Sequence, residues 1–279
     1  EAGAGAEAHG DGFPPPRRAL RGGPGHPLRG APGPVGGGGR ALLGQGGDMT
    51  LLEAVEKARA ERRTLSGGRD WGVGLEEAYR IQEALFPGPL KGYKLGLVSE
   101  AKQRQMGIAE PIFGRVHPGM LLERVVLEAF VQPRLEPEVA VVLKEDLPPG
   151  ASVGEAYRAV GGYFLAVDVL DSVWEGYRFT LPEVVADNTS GGGFLLGRRR
   201  FSRLPQGSLR AYLNGEKVAE GPVEALGDPG RRLLWLAERV GGLRAGQVVF
   251  LGSPAQAVPL ARGVLEVWGG GDVLLARVV

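Results

Sequence analysis

The 279-residue sequence contains no cysteine. Disulfides, thiolate nucleophiles and cysteine-ligated zinc are therefore excluded. No run of about 18 apolar residues is present, which is the length that a membrane-spanning helix needs. The glycine- and proline-rich N-terminus also lacks the apolar stretch of a signal peptide. These absences predict a soluble, cytoplasmic protein.

Neither sign of charge is in excess, since 33 Lys and Arg face 32 Asp and Glu. The first 48 residues hold five of the basic and four of the acidic residues, which leaves 28 of each in the rest of the chain. Short arginine clusters at 198–200 and 231–232 have no interleaved aromatics and are typical of a solvated face or of carboxylate contacts. The sequence therefore predicts neither nucleic acid nor a membrane as a partner.

Side chains that degrade at high temperature are scarce. Besides lacking cysteine, the chain has three methionines and only two asparagines, Asn188 and Asn214. This composition is consistent with a thermophilic source. The excess of arginine over lysine is explained equally well by G+C-rich codons.

Residues 1–48 differ sharply from the rest of the chain. They contain 16 of the 48 glycines and 7 of the 21 prolines with few large apolar residues, and such a segment cannot bury a core. We predict a disordered tail here. It is translated upstream sequence if Met49 is the biological start, because helical periodicity begins directly after it, and a genuine flexible tail otherwise. Residues 49–279 are enough for one large domain.

Apolar residues at helical spacing predict two N-terminal helices, over 50–63 and 75–86. Further helices are predicted to start at Ser99, Ser152 and Asp228, and strands are predicted over 93–98, 125–130, 136–143, 163–170, 193–196, 248–251, 264–268 and 273–279. A hairpin is predicted to turn on Asn214-Gly215. Strands of the second half do not alternate with helices, which disfavours a doubly wound parallel sheet. The predicted fold is α+β, a strand-rich mixed β fold with a smaller N-terminal helical portion.

One apolar strand opens with the sequence Leu135-Glu136-Pro137-Glu138. Because strand side chains alternate between faces, Glu136 and Glu138 point the same way, with α-carbons roughly 6.5 to 7 Å apart. Two like charges at this spacing repel unless a cation lies between them, and oxygen ligands suit a hard divalent ion. The alternative is an exposed Glu-Pro-Glu without such a role, and the pair alone does not decide between them.

A third carboxylate, Asp168, lies inside the nearly all-apolar stretch 163–170. Such a pattern is typical of a buried strand that carries one functional charge. Together with Glu136 and Glu138, Asp168 could supply the oxygen ligands that Mg²⁺ or Mn²⁺ accepts, while leaving positions for water and substrate. The three carboxylates on two apolar strands therefore indicate a metal site.

Seven short stretches, which together span nearly all of residues 49–279, carry a family resemblance. They are Gly92-Tyr93-Lys94-Leu95-Gly96-Leu97, Gln105-Met106-Gly107, Pro111-Ile112-Phe113-Gly114, Glu136-Pro137-Glu138, Ala166-Val167-Asp168-Val169-Leu170-Asp171-Ser172, Val184-Val185-Ala186-Asp187-Asn188 and Ala257-Val258-Pro259. In their order and spacing the chain closely resembles the fumarylacetoacetate hydrolase superfamily, and within it the hydratase/decarboxylase branch. The resemblance implies the C-terminal fold of that superfamily and makes residues 49–279 the catalytic domain.

The resemblance also implies the roles of particular residues. Mg²⁺ or Mn²⁺ is expected on Glu136, Glu138 and Asp168. Many members of the branch have Glu at the third position, and Asp reaches about one methylene less far. Lys94 is expected to be an active-site lysine beside the substrate, where its charge would attract a carboxylate or an enolate. The alternative for Lys94 is an exposed lysine on a strand.

The implied activity is that of a divalent-metal-dependent lyase acting on a small unsaturated 2-oxo acid, with the metal as an electron sink. One reaction is decarboxylation of 2-oxo-3-hexenedioate (4-oxalocrotonate) to 2-hydroxypenta-2,4-dienoate in aromatic meta-cleavage catabolism. The alternative is hydration of that dienoate, as in a 2-keto-4-pentenoate hydratase, which needs a group that positions water and moves protons. Hydratases of the branch often carry an acid where this chain has Ile112. Ile112 therefore favours the decarboxylase.

Carbon–carbon hydrolysis of a diketo acid is a third option and generally needs a His/Glu dyad. Residues 49–279 contain only His117, which precedes Pro118-Gly119 and is predicted to be a turn residue. A noncatalytic binding or scaffold protein with the same fold is the alternative of another class. The resemblance further implies a homo-oligomer and a complex with a paired hydratase or decarboxylase.

Overall fold

The computed structural model describes residues 49–279, so the predicted tail over residues 1–48 lies outside the described part of the chain. The helices within this part are α1 Leu51–Glu61, α2 Leu75–Leu85, α3 Glu100–Met106, α4 Val153–Ala159, α5 Leu181–Ala186 and α6 Pro229–Val240. The strands are β1 Gly92–Gly96, β2 Ile112–Val116, β3 Arg134–Leu143, β4 Val160–Leu170, β5 Gly191–Leu196, β6 Ser208–Leu213, β7 Glu216–Pro222, β8 Val248–Phe250, β9 Val258–Pro259, β10 Gly263–Gly269 and β11 Asp272–Val278.

Side-chain caps begin most of these helices. The hydroxyl of Ser99 accepts a hydrogen bond from the backbone N–H of Lys102 at the start of α3, and Ser152 forms a capping box at the start of α4. Asp228 caps α6, whose first residue is a proline that needs no hydrogen-bond acceptor for its nitrogen. The predicted helix starts at Ser99, Ser152 and Asp228 are confirmed.

Two sheets form the framework. In the larger sheet the strand order is β2-β1-β8-β3-β4-β5, and β9 also pairs with β3. The smaller sheet has the order β11-β10-β6-β7. Its β6–β7 hairpin turns on Asn214 and Gly215, both with positive φ as a tight hairpin turn requires. The prediction of a strand-rich mixed fold is confirmed.

The main hydrophobic core lies between the sheets, where apolar side chains of β3 and β4 meet those of β6, β10 and α6. A second cluster joins α1 and α2 to the segment around Trp174, which is fully buried. This is the predicted N-terminal helical portion. Among residues 49–279, no helix is both long and apolar enough to cross a membrane.

The strand predicted over 125–130 is wrong. Val125 makes a single bridge to Val278, and the chain then forms a 3-10 turn over Leu127–Ala129. The apolar residues of this segment reflect packing against the main core by Leu127 and Phe130, with no alternating face to bury. Apolar content without period-2 alternation does not distinguish a strand from a turn that packs against the core.

The close approach of β1 and β8 leaves no room for a side chain at position 92. A Cβ at Gly92 would overlap the carbonyl oxygen of Val248 on the neighbouring strand. We expect Gly92→Ala to lower the free energy of unfolding by about 1 to 3 kcal/mol, because the strands would have to separate. Gly154→Ala is the matched control, since a methyl group at this exposed site in α4 meets nothing closer than 3.9 Å. Urea unfolding measures both, and equal stability of the two variants would contradict the prediction.

Candidate metal centre and adjoining cavity

Two antiparallel strands bring the three predicted carboxylates together. β3 and β4 pair so that Glu136 lies directly opposite Asp168, and Glu138 follows on the same face of β3. One carboxylate oxygen from each of the three residues lies within 4.8 Å of the others. The shorter side chain of Asp168 therefore still reaches the cluster.

The cluster has the donors that a divalent cation requires. Glu138 and Asp168 are fully buried, and Glu136 is half-buried. Within residues 49–279, Glu138 Oε1 and Asp168 Oδ1 have no hydrogen-bond partner, although buried carboxylate oxygens without partners are costly. An all-oxygen donor set with unpartnered buried oxygens fits Mg²⁺ or Mn²⁺. The roles of these residues as ligands stay predictions.

Burial and the closeness of the three carboxylates also shift the pKa values of Glu138 and Asp168. Burial is the main reason why the pKa of Glu138 is raised well above its ordinary value and that of Asp168 to about 6. The charge of Glu136 adds to both shifts, whereas the nearby Lys94 ammonium opposes them. A cation between the carboxylates would favour their ionised forms.

Lys94 projects from β1 into the same cluster. Its Nζ lies 2.7 Å from Asp168 Oδ2 and donates to the carbonyl oxygen of Thr189 at 2.8 Å. The residue is only 2% exposed, which rules out an exposed strand lysine. Burial disfavours its charge, but the three carboxylates outweigh burial and raise the pKa of Lys94 above its ordinary value. An ammonium has three N–H donors, so one remains for a ligand.

The loop that contains Thr189, whose carbonyl oxygen accepts a hydrogen bond from Lys94, has an unusual backbone conformation. Asn188, Thr189 and Ser190 have φ values of 56°, 53° and 57°, a left-handed conformation that non-glycine residues adopt only under constraint. The Asn188 amide supplies part of that constraint, because it accepts from the backbone N–H of Arg115 and donates to its carbonyl oxygen. Sequence reasoning missed Thr189, since no pattern in Asn-Thr-Ser reveals this backbone.

A cavity of about 310 Å³ opens beside the cluster, with Lys94 and Glu136 in its wall. Two further cations, Lys102 of α3 and Arg134 of β3, also line it, and sequence reasoning singled out neither. Ile112 belongs to the apolar part of the wall. Among the described residues that line the cavity, Glu136 is the only carboxylate and no histidine occurs. The cavity is suited to a small organic anion.

His117 lies elsewhere. It precedes the 3-10 turn Pro118–Met120, and its backbone N–H approaches the Met120 sulfur at 3.4 Å. The prediction of a turn histidine is confirmed. His117 does not line the cavity, so it forms no His/Glu dyad there.

The fold and the site together define a class of protein: a strand-rich α+β domain with a cluster of three carboxylates beside a cavity that is lined by cationic side chains. Comparison with known proteins identifies the family. The model of the family described as fumarylacetoacetate (FAA) hydrolase C-terminal matches residues 115–277. The chain belongs to this family.

Its relatives include decarboxylases and hydratases. The chain is 32% identical over 211 residues to a 4-oxalocrotonate decarboxylase from Pseudomonas sp., covering 70% of this chain and 82% of the relative. It is 31% identical over 231 residues to a 2-keto-4-pentenoate hydratase from Burkholderia vietnamiensis, covering 77% and 80%. Among solved structures, the 4-oxalocrotonate decarboxylase from Pseudomonas putida G7 complexed with magnesium and adipate is similar, with a TM-score of 0.74 and 29% identity. That match covers 82% of this chain and 96% of the other.

Proposed function

We propose that the protein is a divalent-metal-dependent lyase of aromatic meta-cleavage catabolism that decarboxylates 2-oxo-3-hexenedioate to 2-hydroxypenta-2,4-dienoate. The observation that carries the proposal is the carboxylate cluster, which meets the buried Lys94 at the wall of a cavity whose other charged side chains are cationic. Relatives named 4-oxalocrotonate decarboxylase and a solved structure of one with magnesium support it.

The reaction requires an electron sink but no nucleophile. Bound at Glu136, Glu138 and Asp168, Mg²⁺ or Mn²⁺ would supply a Lewis acid beside the 2-oxo group of the substrate. The C5–C6 bond breaks and C6 leaves as CO₂. The released electron pair forms the C4=C5 double bond, the C3=C4 double bond moves to C2=C3, and the 2-oxo oxygen takes up one proton.

Lys94 acts in this scheme as a cationic donor. The carboxylates beside it raise the pKa of Lys94 in the metal-free protein, which favours the ammonium over the neutral amine that a Schiff base requires. Asp168 and the Thr189 carbonyl hold two of its three N–H groups. The third can donate to the oxygen on which negative charge develops, where a fixed donor in a dry site is most effective.

A hydratase of 2-hydroxypenta-2,4-dienoate is the second candidate, because relatives with that activity are as similar as the decarboxylases. Ile112 weighs against it. This side chain lies in the cavity wall, where hydratases of the branch often carry an acid, and it cannot move a proton.

The test is CO₂ release from 2-oxo-3-hexenedioate with Mg²⁺ and with EDTA, beside a parallel assay on freshly generated 2-hydroxypenta-2,4-dienoate. Metal-dependent CO₂ release is the expected result. Consumption of the dienoate alone would replace the proposal by the hydratase. A protein that binds Mg²⁺ and consumes neither compound would favour the noncatalytic scaffold.

The wider setting is part of the proposal. We propose a cytoplasmic homo-oligomer from a thermophilic source that associates with a paired hydratase, because the dienol product is unstable and direct transfer would protect it. Light scattering after size-exclusion chromatography, with and without a purified hydratase, tests the assembly. Elution of two independent species would contradict the complex.

A further inference from the structure

Arg134 is a cation of the cavity wall that the mechanism does not use. It is the first residue of β3, two positions before Glu136, and it is half-buried. Its guanidinium carbon lies 4.1 Å from the ring centroid of Tyr177, and the Tyr177 hydroxyl donates to the carbonyl oxygen of Gln132 at 2.7 Å. No carboxylate within residues 49–279 forms an ion pair with Arg134. The side chain is thus held in place without a counterion.

The charges around the cavity favour a dianion. The cationic side chains of Lys94, Lys102 and Arg134 balance the three carboxylates of the cluster. A divalent cation then leaves two positive charges. A dicarboxylate neutralises both of them, whereas a monocarboxylate leaves one uncompensated.

The spacing along β3 fits a short diacid. Arg134 and Glu136 lie on one face of the strand, with α-carbons roughly 6.5 to 7 Å apart, and both line the cavity. A six-carbon chain anchored by its 2-oxo acid end at the carboxylate cluster is of similar length. Its other carboxylate can therefore reach the N–H groups of Arg134, whose planar fork matches a carboxylate.

We propose that Arg134, held over the Tyr177 ring, binds the distal carboxylate of a six-carbon 2-oxo diacid and makes the site selective for diacids. This inference rests on the proposed decarboxylase function. Arg134 is a specificity-determining residue in this scheme. Its neighbour Tyr177 restricts the side chain before the substrate arrives, so less conformational entropy is lost on binding.

The proposal predicts a particular kinetic pattern. The distal carboxylate is charged in the bound substrate and loses that charge as CO₂ forms. Arg134 therefore stabilises the bound substrate at least as well as the transition state. Loss of such an interaction raises KM without lowering kcat.

The first experiment measures binding without turnover. Calorimetry on the Mg²⁺-loaded protein compares adipate with hexanoate, which has the same chain length and one carboxylate. We expect Arg134→Met to weaken adipate binding by about tenfold to a hundredfold and to leave hexanoate unchanged. Arg199→Met is the matched control, because Arg199 also lies over an aromatic ring, that of Phe201, but does not line the cavity. Thermal unfolding checks that both variants fold.

The second experiment measures turnover of 2-oxo-3-hexenedioate by the same variants. We expect Arg134→Met to raise KM by a similar factor with kcat within about twofold, and Arg134→Lys to recover part of the loss. Equal weakening of adipate and hexanoate would overturn the proposal, as would parental adipate affinity in Arg134→Met. If the parent releases no CO₂, the proposed function fails, but the adipate and hexanoate affinities still decide the role of Arg134.

Discussion

Replacing Glu138 by glutamine is expected to abolish tight Mg²⁺ binding and to lower metal-dependent turnover by about three orders of magnitude or more. A Lewis acid supplies several kcal/mol of transition-state stabilisation, and each 1.36 kcal/mol corresponds to a tenfold change in rate. Glu138 is the fully buried member of the pair on β3, and its Oε1 has no hydrogen-bond partner in the part of the chain that the structure describes. Calorimetric titration with Mg²⁺ and the CO₂ assay measure the two losses.

The same variant should be more stable than the parent without metal. Burial raises the pKa of Glu138, so at neutral pH its ionised form opposes folding of the metal-free protein. The neutral amide removes that penalty and can still accept from the Gly252 N–H, which lies 3.2 Å from Glu138 Oε2. We therefore expect a higher Tm in EDTA and no further rise with Mg²⁺.

The exposed Glu145 provides the control, since Glu145→Gln should change neither Tm nor Mg²⁺ affinity. Parental Mg²⁺ affinity in Glu138→Gln would show that this residue is not a ligand.

Replacing Lys94 by methionine is expected to separate metal binding from catalysis. The variant loses the donor to the developing oxyanion, and loss of one such donor typically costs about 10² to 10³ in kcat. Mg²⁺ should bind at least as tightly as in the parent, because the ammonium 2.7 Å from Asp168 Oδ2 no longer repels a cation at the cluster. Calorimetry and steady-state kinetics on the same preparation test both statements.

In EDTA, Lys94→Met should also be less stable than the parent, because Asp168 loses its only cationic partner among the described residues. Lys217→Met is the control, since Lys217 forms an exposed ion pair with Glu220 that contributes little. A Lys94→Met variant with parental kcat would make Lys94 a structural counterion.

Parts of the site were predictable because they depend on local geometry. Glu136 and Glu138 share a face since the strand period is two residues, and a single charged residue inside an apolar strand marked Asp168. The starts of α3 and α6 were equally predictable, from the N-cap residues Ser99 and Asp228. The strand predicted over 125–130 failed because its apolar residues serve a packed turn.

Other parts were not readable in the same way. The cation at Arg134 has no distinguishing pattern, because an arginine at the start of a strand is ordinary on an exposed face. Its position became informative only with Tyr177 beneath it, a residue 43 positions later in the chain. Thr189 likewise gains its role from a backbone conformation that is set by Asn188 and the backbone of Arg115.

By itself, the sequence determined the alternation of side chains along the strands, the helix caps, the three carboxylates of the cluster and the absence of cysteine chemistry. These features follow from residue types and from spacings of a few residues. Only the tertiary structure decided that Asp168 lies opposite Glu136, that Lys94 is buried with its ammonium beside Asp168, and that Arg134 lines the same cavity. Such contacts join residues far apart in the chain, so they depend on strand register and packing across the whole domain.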